Sequence, residues 1–371
     1  MTTVEVLDDP AQLVRLRAAW DRLWHEVPAA HPFLHWAWAA TWWDHFGAVA
    51  RPAVATRLRV LVVRDGDEVL AICPWCEVTT RPRGPMSVRT LVGLGQEDAD
   101  LGGVLIGPGR SEVAALVAEV VADELRAQPT VLNLTRVRDD DPLLQAFQAV
   151  GGPGLVLQRE STDPFPVLDL PDEGSSEVVA LLLKRNDVRR RWRRLGETGD
   201  LRFVPRQEGP VDVALDEFLR LHDLRWSVRD DEPNGIFATR RGRAFVREVS
   251  DRLDEARMLE LSFVLHRGRP VAARYGLRRG SRYFGLKSGW DPRLARYGPG
   301  HMVLGKVVEH DAAEGVRSFE LMRGSGSHKT SWATSVQPVG YWTVSAGGRT
   351  DAAVRTAFRA QRALRHRLRH R

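Results

Sequence analysis

The 371-residue sequence is poor in cysteine, lysine and long apolar runs, and each shortage excludes a class of protein or site. Two cysteines, Cys73 and Cys76, cannot build a disulfide framework for a chain of this size or complete a four-cysteine zinc site. No apolar run approaches the roughly 18 residues that a membrane span requires. The first residues also lack the basic and apolar regions of a signal peptide. We therefore expect a soluble protein in the reducing cytoplasm.

Lysine is scarce, so the positive charge is carried almost entirely by arginine, and it is distributed unevenly. The chain has 54 basic and 48 acidic residues, a formal net charge of +6. Residues 351–371 hold seven arginines and one acid, Asp351, which accounts for the whole excess. The rest of the chain is formally neutral, and its apolar fraction of 43% is enough for two domains with ordinary cores.

Six of the twelve tryptophans fall between positions 20 and 43, on segments with helical spacing. Large aromatic side chains at such spacing favour packing at one end of a domain. A second interpretation is a stacking wall for a ring or an acyl chain, which makes Trp36 a candidate substrate-binding residue.

One order of elements occurs twice along the chain. Strands with period-two alternation form hairpins, a glycine-proline turn follows, and then come a helix and a short strand. In the first half the turn is Gly107-Pro108-Gly109, followed by helix 112–126 and strand 131–134. In the second it is Gly298-Pro299-Gly300, followed by helix 301–314 and strand 319–322. We predict an α/β protein of two related units, 1–160 and 161–348, with a basic helical tail, 349–371.

The second glycine-proline turn carries the clearest chemical signal. A glycine-rich turn between a strand and a helix N-terminus suits a phosphate, because free N–H groups and the positive end of the helix face the anion. Arg296 is placed to add a charged contact. A plain structural turn is the alternative interpretation.

Two segments around this turn resemble a known family: 282–301, which reads Arg-Tyr-Phe-Gly-Leu-Lys-Ser-Gly-Trp-Asp-Pro-Arg-Leu-Ala-Arg-Tyr-Gly-Pro-Gly-His, and 319–332, from Phe319 to Trp332. They look like the GNAT-fold acyltransferases of the CelD-like or BioF2-like group, relatives of the FemABX peptidyl transferases. The tryptophan-rich segment and the basic helix 184–194 extend the resemblance over about residues 10–345. It implies tandem GNAT-like domains, each a mixed central sheet flanked by helices, and no metal.

The resemblance also implies an activity: transfer of an acyl group to an amine or hydroxyl, from acyl-CoA in GNAT proteins or from aminoacyl-tRNA in FemABX proteins. The donor would lie along strand 283–290, with its pyrophosphate on the turn at 296–302. This makes the donor-binding candidates Ser288, Gly289, Trp290, Arg296, Gly298, Gly300 and His301. Pro299 stands where the family pattern has its first glycine, and it lacks an N–H donor.

Candidate catalytic residues lie close to this strand and turn in the sequence. Lys329 matches a lysine that often follows the last motif strand in the group, where its charge would stabilise an oxyanion or a phosphate. His328, expected to titrate near neutrality, is the candidate base, and Tyr297 the candidate donor of a proton to the leaving thiolate. The alternative for His328 and Lys329 is a solvated pair in a Gly-Ser loop.

The acceptor site is predicted less directly. Asp98 and Asp100 follow a strand end and, with Trp36 and Tyr283, are the candidates for binding an amine acceptor. Segments 184–194 and 351–371 would suit a polyanion such as tRNA. Solvated faces, a lipid-linked or phosphorylated acceptor, or an anionic membrane surface explain the same charges. The alternative that is not an enzyme is a catalytically silent binding or scaffold protein with the same fold.

Overall fold

The computed structural model describes residues 1–47, 54–80, 88–96, 98–150, 154–227, 235–324, 326–347 and 356. Backbone contacts divide the chain into two units. Unit 1 comprises Met1–Asp163, Thr239–Phe245 and Pro338–Arg371, and unit 2 comprises Pro164–Ala238 and Val246–Gln337. Apart from Thr356, the predicted basic tail lies outside the described residues.

Strands and helices alternate along both units. The strands are β1 (Thr2–Leu7), β2 (Val54–Asp65), β3 (Glu68–Thr80), β4 (Val88–Gly93), β5 (Leu105–Ile106), β6 (Thr130–Arg138), β7 (Leu155–Asp169), β8 (Leu201–Val204), β9 (Leu259–His266), β10 (Arg269–Arg279), β11 (Arg282–Trp290), β12 (Ser318–Glu320) and β13 (Ser335–Ala346). The α-helices are α1 (Pro10–Arg15), α2 (Arg17–Glu26), α3 (Trp36–Trp42), α4 (Ser111–Ala127), α5 (Pro142–Val150), α6 (Ser175–Arg185), α7 (Val188–Gly196), α8 (Val211–Trp226), α9 (Arg240–Glu255), α10 (Pro299–Ala313) and α11 (Ser327–Thr330). Short 3-10 turns occupy Pro32–Leu34, Gly235–Ala238 and Pro292–Tyr297, and a π-turn occupies Trp43–Gly47.

The sheet of unit 1 is antiparallel except at one place. β1, β2, β3 and β4 pair in sequence order, β4 pairs in parallel with β6, and β6 pairs antiparallel with β13. Helix α4 forms the crossover between the parallel strands, and its apolar side, including Val117 and Val121, packs into a buried cluster with Trp75 and Leu132. This burial of an apolar helix face stabilises the unit.

The sheet of unit 2 has the same pattern. β8, β9, β10 and β11 pair antiparallel, β11 pairs in parallel with β12, and β12 pairs antiparallel with the last residues of β7. Helix α10 forms the parallel crossover, and its residues Leu304, Val307 and Val308 lie in a buried cluster with Tyr283 and Trp332.

Both units therefore follow the order predicted from the sequence: three antiparallel strands, a Gly-Pro-Gly turn, a helix and a parallel strand. In unit 1 these are β2 to β4, α4 and β6, and in unit 2 they are β9 to β11, α10 and β12. A mixed sheet flanked by helices, present twice, confirms the predicted fold class.

One local prediction differs from the structure. The basic segment 184–194, expected to be one helix, is divided between the end of α6 and α7, because Asp187 adopts a left-handed conformation (φ 56°) between them.

None of the helices in the described ranges combines the length and apolar character needed to cross a membrane. Within the same ranges, no group of three or more His, Cys, Asp or Glu side chains is arranged to hold a metal ion.

Candidate functional site

The central feature of unit 2 is the point where β11 and β12 separate. The two strands pair in parallel only at Arg282↔Ser318, Tyr283↔Phe319 and Phe284↔Glu320. Beyond this point β11 continues to Trp290. The segment that follows β12 stays with β7, because the N–H groups of Leu321 and Gly324 donate to the carbonyls of Pro166 and Pro164. The sheet therefore opens from Gly285 onward, and the N-terminal turn of α10 follows β11 directly.

The turn that begins α10 is shaped by a glycine and an arginine. Gly298 caps the helix in a left-handed conformation (φ 62°), and a methyl group built on it would lie 2.2 Å from Nη1 of Arg191. A methyl group built on Gly300 would lie 3.4 Å from Nε1 of Trp290, an ordinary contact. The positive helix end, the Arg191 guanidinium and the Trp290 indole thus surround this turn, a suitable arrangement for an anion.

Arg296 and Tyr297 contact each other beside the turn. Nη2 of Arg296 donates to the Tyr297 hydroxyl at 2.8 Å, and the guanidinium carbon lies 4.8 Å from the ring centroid. The Tyr297 ring is buried with Leu195 and Met302. Arg296 itself is exposed. The Tyr297 oxygen accepts the hydrogen bond from Arg296, so the tyrosine can still donate through its own O–H. The role of Tyr297 as the acid stays a prediction.

Helix α8 fixes the far end of β11. Arg225 Nη1 donates to the carbonyl oxygen of Ser288 at 2.8 Å and to its hydroxyl at 2.7 Å. A methyl group built on Gly289 would lie 2.4 Å from the backbone nitrogen of His222, so the helix backbone fills the space above this glycine. Gly289 is therefore explained by the close approach of α8, whereas Ser288 lies at the opening of the sheet.

The short helix α11 brings His328 and Lys329 to the other side of the opening. Lys329 Nζ donates to the carbonyl of Met322 at 3.2 Å and to that of Arg323. Met322 has a left-handed backbone (φ 62°), so the lysine holds an unusual bend at the end of β12. His328, which precedes Lys329, is an exposed residue whose ring is partly covered.

The expected titration of His328 near neutrality is wrong. Partial burial of the ring and then the charges of Lys329, Arg225, His301 and Arg274 lower its pKa to about 4. His301, at the start of α10, also has a lowered pKa, because of burial and the charge of Arg191. Both imidazoles are therefore neutral at pH 7, inside a positively charged site.

Three arginines of this site were not found from the sequence: Arg191, Arg225 and Arg274. The charges of the last two act on His328, and that of Arg191 acts on His301. With 54 basic residues of which four are lysine, a single arginine gives no signal in this chain. Their positions on α7, α8 and β10 bring them to one site, and only the fold reveals this.

The remaining candidates lie elsewhere. Tyr283 is completely buried in the core of unit 2 and does not face solvent. Trp36, Asp98 and Asp100 belong to unit 1. The indole N–H of Trp36 donates to the Leu13 carbonyl at 2.9 Å. Asp98 accepts from the Trp42 indole at 3.1 Å.

The tryptophan-rich segment follows the packing interpretation. Five of its six tryptophans are buried, and several indole N–H groups donate to backbone carbonyls of the same segment. Acceptor binding by Trp36, Asp98 and Asp100 stays a prediction.

Comparison with known proteins agrees with this geometry. Residues 183–330 match the family model described as an acetyltransferase (GNAT) domain. This range contains β11, the Gly298 turn, α10, β12 and α11. Among curated protein sequences, none matches the chain significantly.

Solved structures support the fold at low sequence identity. The crystal structure of FemX has a TM-score of 0.58 at 11% identity, covering 88% of this chain and 95% of FemX. A conserved protein of unknown function from Bacteroides thetaiotaomicron has a TM-score of 0.51 at 11% identity, covering 93% and 100%. Residues 183–330 thus match a GNAT-type acetyltransferase domain, and the chain shares its fold with FemX.

Proposed function

We propose that the protein transfers an acyl group from acyl-CoA to an amine. The observation that carries this proposal is the opening of β11 away from β12 beside the N-terminus of α10 and Arg191. An extended amide-containing donor arm can add to a strand edge through main-chain hydrogen bonds. Its pyrophosphate would then reach the Gly298 turn, where the helix end and the arginine supply positive charge.

The positive charge of the site serves the reaction in two ways. An acceptor amine must lose a proton before it attacks, and neighbouring cations lower the pKa of an ammonium group. Attack of the neutral nitrogen on the thioester carbon forms a tetrahedral oxyanion, which the same cations stabilise. The nitrogen gives its second proton to solvent, the C–S bond breaks to form the amide, and the leaving thiolate takes up a proton from solvent.

His328 and Lys329 take different roles in this scheme. With a pKa near 4, His328 is a neutral imidazole that can accept a hydrogen bond from the acceptor nitrogen. It is a weak base, so proton removal is helped mainly by the positive field. Lys329 holds the bend at Met322 through its two carbonyl contacts and contributes part of that field.

Calorimetric titration with CoA tests the donor. We expect micromolar binding by the wild type and a loss of about tenfold in Arg191→Gln, because a charged contact to phosphate is removed. The matched control is Arg190→Gln. Arg190 is the exposed neighbour on α7 and pairs with Asp187 at 2.6 Å, so this variant should bind CoA as the wild type does.

The same two variants separate the tRNA alternative. Exposed arginines of α7, including Arg189, Arg193 and Arg194, continue from Arg191 along the helix. Binding of aminoacyl-tRNA along this face would weaken in both variants and would fall steeply between 50 and 200 mM salt. If CoA does not bind and tRNA binding shows that salt dependence, aminoacyl-tRNA takes the place of acyl-CoA as the proposed donor. Binding of neither would leave a protein without transferase activity.

A further inference from the structure

Arg274 is a buried cation whose contacts among the described residues, the Gly285 carbonyl and the Tyr283 hydroxyl, are both uncharged. The residue is only 8% exposed and lies on β10, opposite Ser288 in the open stretch of β11. Its Nη2 reaches the Gly285 carbonyl at 3.4 Å, a long hydrogen bond, and its Nε has no hydrogen-bond partner among the described residues. A buried guanidinium in this state is costly unless an anion accompanies it.

Two buried carboxyl groups of this region contact other basic side chains. Glu260 Oε1 lies 3.8 Å from Nη1 of Arg278, and Asp311 Oδ1 lies 3.0 Å from Nδ1 of His310. The charges of Glu260, Asp311 and Arg274 all act on the Tyr283 hydroxyl, so this neutral phenol has both groups near it. Neither carboxyl group is hydrogen-bonded to Arg274, and the arginine keeps its capacity for another anion.

The Arg274 guanidinium lies over the first residue of the open stretch: a methyl group built on Gly285 would lie 2.1 Å from its Nη2. Its charge acts on His328, as do those of Lys329 and Arg225. His301 Nδ1 is buried and has no hydrogen-bond partner in the described part of the chain. A buried cation and an unpaired imidazole nitrogen thus lie around His328. An anionic substrate group would pair with the cation and accept a hydrogen bond from His301 in the tautomer with the proton on Nδ1.

We propose that the substrate carries a carboxylate that binds Arg274 at the opening between β11 and β12, with His301 and His328 as further contacts. The planar guanidinium suits a carboxylate in two-point contact. The phosphates of the donor would lie at the other end of β11, at Gly298 and Arg191. The inference rests on the proposed acyl transfer and names its substrate class: an amine acceptor with a carboxylate, such as an amino acid or peptide, or an acyl group with a terminal carboxylate.

Matched substrate pairs distinguish the two sources. With acetyl-CoA as donor, amino acids are compared with their amides by the release of free thiol. With a fixed amine, succinyl-CoA is compared with butyryl-CoA. We expect a preference of about tenfold or more in kcat/KM for the carboxylate member of one pair, the value of a charged hydrogen bond. Arg274→Gln should remove that preference, so that the two members of the pair react with similar kcat/KM.

The matched control is Arg278→Gln, four residues further along the same strand, which should keep the preference. Equal rates for both members of both pairs in the wild type would overturn the proposal, as would an undiminished preference in folded Arg274→Gln.

A second measurement needs no variant of Arg274. The titration of His328 is followed by its ring NMR signals in wild-type protein saturated with CoA, with added glutarate or glutaramide. A bound carboxylate favours the protonated ring, so glutarate should raise the midpoint, now near 4, by about one pH unit. Glutaramide should leave it unchanged. Equal effects of both compounds, or no effect of either, would contradict the proposal.

The titration without CoA separates the two proposals. If glutarate shifts His328 only when CoA is absent, the cations belong to the donor phosphates and the carboxylate proposal fails. If CoA does not bind but glutarate still shifts His328, the acyl-CoA donor is wrong and the carboxylate site stands.

Discussion

Arg191 lies directly over Gly298, with its Nη1 2.2 Å from where a β-carbon of that residue would be. Nε of Arg191 donates to the Asn186 carbonyl at 3.3 Å, and Val188 of the same helix fills the space beside Gly305 of α10. The break between α6 and α7 thus positions one arginine against the N-terminus of α10. A donor phosphate at this turn would contact a charge that the sequence places more than 100 residues away.

Two glycines of the turn should respond differently to the same substitution. Gly298→Ala puts a side chain on a left-handed residue and against Arg191, and should cost about 1–2 kcal/mol of unfolding free energy. Gly300→Ala meets only the Trp290 indole at 3.4 Å and should change stability by less than about 1 kcal/mol. Chemical denaturation of both variants measures the difference. Equal stability of the two would show that Gly298 does not need its left-handed conformation.

Lys329→Ala should lower turnover by about tenfold while the protein stays folded. The substitution removes two charged hydrogen bonds to the carbonyls of Met322 and Arg323 and part of the positive field. Lys306→Ala is the control, because that lysine pairs with Glu309 on the surface of α10 at 2.7 Å. Thiol release and circular dichroism are measured on both. Wild-type turnover in Lys329→Ala would remove this lysine from the mechanism.

Elements with a strong periodic pattern were predictable from the sequence. The hairpins of β2 with β3 and of β9, β10 and β11 follow from period-two alternation around glycine turns, and α4 from its apolar stripe. The repeated Gly-Pro-Gly turn predicted the duplication. These signals are local, so each segment carries its own evidence.

The electrostatics of the site were not predictable in the same way. Arg274 enters the core because β10 pairs with β11 through a register shift at Tyr275/Gly276, a property of two strands together. The low pKa of His328 results first from partial burial of its ring, and then from the charge of the neighbouring Lys329 and of groups on three other elements. The prediction that His328 titrates near neutrality was wrong because the sequence gives only the ordinary pKa of an imidazole, without the effect of the groups around it.

The pH dependence of turnover should reflect the low pKa of His328. Because its ring is neutral above a pKa of about 4, this residue should give no inflection in kcat/KM between pH 5.5 and 7.5. His328→Asn should therefore lower the rate by a similar factor at both ends of that range. A rate-limiting protonation near pH 6.5 that disappears in His328→Asn would show that the site is less positively charged than the structure indicates.

Glu260 should make the protein less stable as the pH rises from about 4.5 to 7. Burial, and then the charge of Asp311, raise its pKa to about 7 against the positive charges of Arg278 and Arg206. Burial also raises the pKa of Asp311, and the contact with His310 opposes this shift. A carboxyl group with a raised folded-state pKa binds more protons folded than unfolded, so its contribution is complete at low pH and is lost as the pH rises through the folded pKa.

Glu260→Gln keeps the shape of the side chain and removes the titration. We expect this variant to be more stable than the wild type by about 1–3 kcal/mol at pH 8 and to differ little at pH 4.5. Glu309→Gln on the surface of α10 should show no such pH-dependent gain, since it only breaks the pair with Lys306. Denaturant unfolding at the two pH values gives the result. A gain of equal size at both would assign the effect to packing, because only a titrating group makes the stability difference depend on pH.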